Sequence, residues 1–140
     1  MPLPTTRPPT SGDPLHRMAA YTHATDALTA AWADVLVLLR RQPGAAVASQ
    51  LYRAVGSVGA NLAEGYSRSS GRDRVRFFEY ALGSARESSH WYRAASPLLA
   101  PERVQSQMDR LTQITRILLT VIPRERNRTI RSRNEEVRSS

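Results

Sequence analysis

The sequence predicts an all-α chain folded as an up-down-up-down antiparallel four-helix bundle, and three observations lead there. Apolar residues recur at steps of three and four through four separate segments. Short breaks rich in Gly, Pro or Ser divide those segments, and no run alternates with the period of two that a half-buried strand requires. Helices joined by short connections run antiparallel to their sequential neighbours.

The first helix is expected over residues 18–41, where Tyr21, Ala24, Leu28, Ala31, Trp32, Val35, Leu38 and Leu39 form one stripe. Gln42-Pro43-Gly44 ends it. Proline is tolerated in a first helical turn, so the second helix can begin near Pro43; its stripe is Val47, Leu51, Ala54, Val55, Val58 and Leu62, and Gly65 is expected to close it as a positive-φ cap. After the polar turn 66–72, Ser70 or Asp73 can cap the third helix. That helix carries two adjacent stripes, Phe78, Leu82, Ala85, Ser89, Tyr92 and Phe77, Ala81, Ser84, Ser88, Trp91, Ala95, which implies contact with more than one neighbour. Pro97 and Pro101 bracket a short connection. Val104, Met108, Leu111, Ile114, Leu118, Val121 and Ile122 then build a fourth helix that Pro123 is expected to terminate.

The bundle is therefore expected over residues 17–123, between two segments of different character. Residues 1–16 hold five prolines and no long apolar run, and read as a flexible leader rather than a signal peptide. Residues 124–140 hold six arginines, three glutamates and only Ile130 and Val137 as aliphatics, and read as a basic tail, disordered or frayed when unbound.

At 140 residues the length fits one domain with one core. The absence of cysteine excludes disulfides and thiolate metal sites, and no segment approaches the length of apolar sequence a membrane span needs, so a soluble cytoplasmic protein is expected. The formal net charge is +8, the pI is near 11.1, and all 20 basic residues are arginine. A planar, weakly hydrated guanidinium suits phosphate, which points to a nucleic-acid partner. A GC-rich genome would also favour arginine over lysine codons, but it would not produce the excess of base over acid.

Two constellations carry chemistry or geometry. Gly56, Gly59, Ala60 and Ala63 form a small-residue face, expected to meet Ala81, Gly83, Ser84 and Ala85 in a close helix approach. Asn61 and Glu64 on helix two, and Ser84 and Glu87 on helix three, can come together as a buried hydrogen-bond network that sets register, with Glu64 or Glu87 paired to Arg53 or Arg86. An active site on these carboxylates lacks a histidine base, a nucleophile and a phosphate loop. Glu87-x-x-His90 matches half of a di-iron pattern, but Asp26, Asp34, Glu102 and Asp109 do not complete the ligand set, and His16 and His23 fall in or near the leader. No cofactor, metal or enzymatic activity is expected.

The stretch from Arg53 to Glu87 is the most specific. Asn61-Leu62-Ala63-Glu64-Gly65, a basic Ser/Gly turn, and Phe77-x3-Ala81-x-Gly83-Ser84-x2-Glu87 resemble the bacterial four-helix bundle family first noticed as products of intervening sequences in 23S ribosomal RNA genes. Distant relatives of that family are accessory variability determinants of diversity-generating retroelements. The resemblance spans roughly residues 18–122, and departs in Leu62, where isoleucine is common, in the proline-rich leader and in the basic tail. It implies a homopentamer with a basic surface and no known catalysis. It also marks Asn61, Glu64, Gly65, Ser84 and Glu87 as the structural motif.

In an antiparallel bundle the turn after helix two and the end of helix four share one end. Arg68, Arg72, Arg74 and Arg76 can thus join Arg124, Arg126, Arg128, Arg131 and Arg133 in a continuous basic patch. The function expected is non-enzymatic binding of nucleic acid, structured RNA above all, by a homo-oligomer. The rivals are an accessory subunit of a retroelement reverse transcriptase and a structural adaptor with no nucleic-acid role. Tyr66 is the aromatic residue best placed to stack on a base.

Overall fold

The computed structural model describes residues 12–140, and among them the chain is helical with short connections. A 310-helix at Pro14–Arg17, capped by the Asp13 carboxylate, leads into α1 (Ala19–Leu38), α2 (Gly44–Tyr66), α3 (Gly71–Ala95) and α4 (Pro101–Ser139). Each helix packs on its sequential neighbours and α1 closes the ring against α4, giving the expected antiparallel bundle. Of the proline-rich leader, residues 1–11 lie outside the described residues, while Pro14–Arg17 has regular structure.

The core follows the stripes. Ala20, Ala24, Ala27 and Ala31 let α1 approach closely, while Leu51, Leu62, Phe78, Leu111, Ile114 and Leu118 fill the interior. The double stripe of α3 is answered within the chain, because α3 lies between α2 and α4. Tyr92 is fully buried and Trp91 half-buried, so both pack within the chain. Large apolar residues are left exposed on all four helices, Tyr80 on α3 and Leu119, Ile130 and Val137 on α4 among them; Trp32, Leu36 and Leu39 at the end of α1 and Tyr52 of α2 are also exposed, with Trp32 and Tyr52 edge to face at 5.5 Å.

Three local expectations need correction. Pro123 does not end the last helix, which runs to Ser139, about 58 Å in all against about 30 Å for α1. Proline removes the hydrogen bond to the carbonyl four residues earlier. Here Pro123 and Leu119 both lie on the exposed side of the helix, and the ion pairs Arg74–Glu125 and Arg126–Glu79 beyond the proline hold the helix to α3. Gly65 is not a positive-φ cap: it lies inside α2, and no described glycine has a left-handed φ. It is needed for proximity, since a Cβ there would fall 2.8 Å from the buried Phe78 ring and 3.0 Å from Phe77 Cβ. Gly56 and Gly59 face Leu28, Ala24 and Tyr21 of α1 rather than α3, at ordinary contact distances for an added Cβ, and Gly83 faces open space.

Candidate nucleic-acid interface

The end of the bundle that holds the start of α1, the α2–α3 connection and the far part of α4 collects the arginines. Ser70 Oγ caps α3 by accepting from the Asp73 backbone N–H at 3.4 Å. The first turn of α3 then lies so close to α4 that a side chain at Gly71 would collide with Thr129 Oγ1, itself donating to the Glu125 carbonyl. Arg74 donates through Nε and Nη2 to Glu125 Oε2 at 3.2 and 3.0 Å, and through Nη1 to the Arg68 carbonyl at 3.3 Å. Arg126 pairs with Glu79. These interactions turn the expected disordered tail into a helical extension fastened to α3.

The cations outnumber the carboxylates that answer them. Glu125, with its side chain only 16% exposed, holds Arg74 and, more loosely at 3.5 Å, the solvent-facing Arg128. Arg68 pairs with Glu64, Arg76 reaches Asp73 at 4.0 Å, and both guanidinium groups sit over the Phe77 ring at 4.8 and 5.3 Å. Among the described residues no carboxylate pairs with Arg72, Arg124 or Arg133. The sequence-predicted cluster and the helix-four arginines do share this end, as the topology required.

Two open hollows mark the surface here. One, of about 390 Å³, is polar and lies between the start of α3 and the extension of α4, lined by Ser69, Arg74, Arg128, Ser132, Arg133 and Glu136. The other, of about 500 Å³, is lined by Met18, Tyr66, Phe78 and Val121 together with Arg74, Glu125 and Arg128. Arg74 and Arg128 border both.

The motif residues do not assemble into the expected network. Asn61 Nδ2 donates to the Ser57 carbonyl within α2, Glu64 is half exposed and holds Arg68, and Glu87 accepts from Trp91 Nε1 at 3.2 Å. Ser84 contributes its carbonyl to Ser88 Oγ. Each satisfies its own helix rather than a neighbour.

The buried network is elsewhere, at the opposite end. Asp34, 3% exposed, accepts from Arg103 Nε and Nη2 at 3.1 Å each and from the Tyr92 hydroxyl at 2.7 Å. Gln107 Nε2 donates to Tyr92 Oη at 2.7 Å and to the Ala27 carbonyl at 2.8 Å, while its Oε1 accepts from Arg110. No buried side-chain nitrogen or oxygen among the described residues lacks a partner. Burial pushes the Tyr92 phenol far above its ordinary value of 10.0; the Gln107 donor opposes this, and the Asp34 carboxylate adds to it. The hydrogen bond to Asp34 raises the Arg103 guanidinium above its ordinary value. The sequence held the signal: Asp34 and Gln107 sit at core positions of their own apolar stripes, beside Val35 and Leu111.

Comparison with known proteins places this architecture. A model of the 23S rRNA-intervening sequence proteins matches residues 19–120. The chain belongs to the 23S rRNA-intervening sequence protein family. A solved relative in shape is a protein with unknown function from the S23 ribosomal protein family of Bacteroides thetaiotaomicron, with a TM-score of 0.69, 21% identity, and 74% of this chain and 98% of that chain covered. No curated protein matches the sequence. The family match ends at Thr120, so the arginine-bearing extension of α4 lies beyond the part that places the chain in the family. No described helix is long and apolar enough to cross a membrane, and no three His, Cys, Asp or Glu side chains among the described residues group as metal ligands.

Proposed function

We propose that this protein is a non-enzymatic, self-associating helical bundle that binds nucleic acid, structured RNA above all, through its arginine-rich end. The observation that carries the reading is the surplus of guanidinium groups there: among the described residues Arg72, Arg124 and Arg133 pair with no carboxylate, and Arg128 shares one already engaged. Arginine forks bind phosphate oxygens without reading sequence, and each such pairing releases condensed counterions. The family name points to an origin in ribosomal RNA genes and fits an RNA partner.

Fluorescence anisotropy on a structured ribosomal RNA fragment tests this. Replacing Arg72, Arg128 and Arg133 with alanine is expected to weaken RNA and DNA binding about equally. It should also flatten the dependence of log affinity on log salt by roughly 0.7 to 0.9 for each phosphate no longer neutralised. No binding by the wild-type protein at low salt would overturn the reading.

Self-association rests on the exposed Trp32, Leu36, Leu39 and Tyr52, of which Leu39 and Tyr52 border an apolar hollow of about 340 Å³ with Val35, Ala45 and Ala48. The family resemblance suggests a pentamer. A monomer by light scattering at micromolar concentration would instead favour the second reading, in which the same face receives another protein, such as a reverse transcriptase.

A further inference from the structure

We propose that the two hollows at the basic end together hold one unpaired nucleotide of an RNA strand, its base in the Tyr66 hollow and an adjoining phosphate in the Ser69–Arg133 hollow. The inference rests on the nucleic-acid reading above and narrows it to a ligand. The two hollows differ in chemistry in the way the two halves of a nucleotide differ.

The larger hollow has an apolar floor. Met18 and Val121 are half-buried and Phe78 is 3% exposed, so a flat aromatic body entering there removes apolar surface from water on both partners. Tyr66 stands 42% exposed at the same hollow and makes no hydrogen bond among the described residues, so its ring is available to stack. A base also needs a polar edge contact. Glu125 lines this hollow; its Oε2 is taken by Arg74, but its Oε1 is held only by Arg128 at 3.5 Å and remains an acceptor for a base amino group. The volume, about 500 Å³, falls in the range of small-ligand sites, roughly 300–1,000 Å³.

The smaller hollow offers the Ser69 hydroxyl and the guanidinium groups of Arg128 and Arg133, the latter with no carboxylate partner among the described residues, as donors for a phosphate; Ser132 Oγ donates to the Arg128 carbonyl, and the Glu136 carboxylate also lines the space. Arg74 and Arg128 border both spaces, which puts the phosphate donors next to the base-sized hollow. A base stacked and paired within a duplex cannot enter such a hollow, whereas a bulged, looped or single-stranded one can. Stacking on an aromatic ring tolerates any base, so the site selects an unpaired nucleotide rather than a sequence.

Two RNA hairpins of equal length and charge test this by anisotropy, one fully paired and one with a single bulged 2-aminopurine nucleotide. The wild-type chain is expected to bind the bulged hairpin more tightly and to change the 2-aminopurine emission. Tyr66→Ala should lose about 5- to 150-fold in affinity for the bulged hairpin and leave the paired one unchanged, while Tyr66→Phe keeps the ring and the affinity. Because Tyr66 is exposed, unchanged thermal melting of both variants will show that the fold is intact. If Tyr66→Ala weakens neither hairpin, or both equally, the nucleotide site is overturned while salt-dependent binding of the paired hairpin upholds the phosphate reading. If the wild type binds neither hairpin, both readings fall.

Discussion

The two ends of this bundle use the same pair of chemical groups to opposite effect. At the end where α4 begins, a partly exposed Arg103 reaches the buried Asp34, and Tyr92 and Gln107 complete a network with every buried atom satisfied. At the end where α4 runs on, Arg74 and Arg128 divide Glu125 at the surface, and among the described residues no carboxylate pairs with Arg72, Arg124 or Arg133. The first arrangement fixes how α1, α3 and α4 sit against one another. The second leaves positive charge over. Whether an arginine belongs to the fold or to a partner is decided by the burial of its carboxylate and by how many cations share it.

Removing the carboxylate at the buried end should produce the largest effect. Asp34→Ala leaves the buried Tyr92 hydroxyl without its acceptor and the Arg103 guanidinium, 41% exposed, without its partner, a change that typically costs about 1–3 kcal/mol. Urea denaturation should show the midpoint falling accordingly, with RNA binding by the still-folded fraction unchanged. A loss under about 1 kcal/mol would mean that the network contributes little to holding the helices together.

The same network predicts how stability responds to alkali. The folded-state phenol of Tyr92 is raised above the unfolded value of 10.0. Its contribution is therefore fully present below pH 10 and is lost as pH rises beyond it, because the unfolded chain releases the proton while the folded chain keeps it. Each pH unit above that value can remove up to about 1.4 kcal/mol. Tyr92→Phe should be less stable near neutrality and should lack this alkaline slope. Parallel pH profiles for the two proteins would sever the link.

What the sequence made legible follows from the range of the forces involved. Helix identity and order depend on local periodicity, and the stripes of α1 to α3 placed them within a few residues. Co-location of Arg74 with Arg128 followed from antiparallel topology alone. Pro123 misled because the cost of an interior proline is local, while the ties that outweigh it, Arg74 to Glu125 and Arg126 to Glu79, span 51 and 47 residues. The motif Asn61, Glu64, Ser84, Glu87 misled for the complementary reason: shared helix faces suggested a meeting, but their side chains turn to nearby groups on their own helices. Asp34 and Gln107 broke apolar stripes, and only the packing of three helices reveals what they answer.

The smallest effect expected is also the one that separates the two ends most directly, because it should have the opposite sign in function. Glu125→Gln keeps the shape of the side chain and removes its charge, which releases Arg74 and Arg128 from their shared partner. A partly exposed ion pair of this kind is worth about 0.2–1 kcal/mol, so the extension of α4 should lose a little stability while RNA affinity rises about 1.4- to fivefold at low salt. The salt dependence should steepen as the freed guanidinium groups reach phosphates. Asp34→Ala at the other end costs stability and gains nothing in binding. If Glu125→Gln instead weakened binding of a fully paired RNA with α4 still folded, Glu125 would act by positioning Arg74, and the surface pair would resemble the buried one more than its exposure suggests.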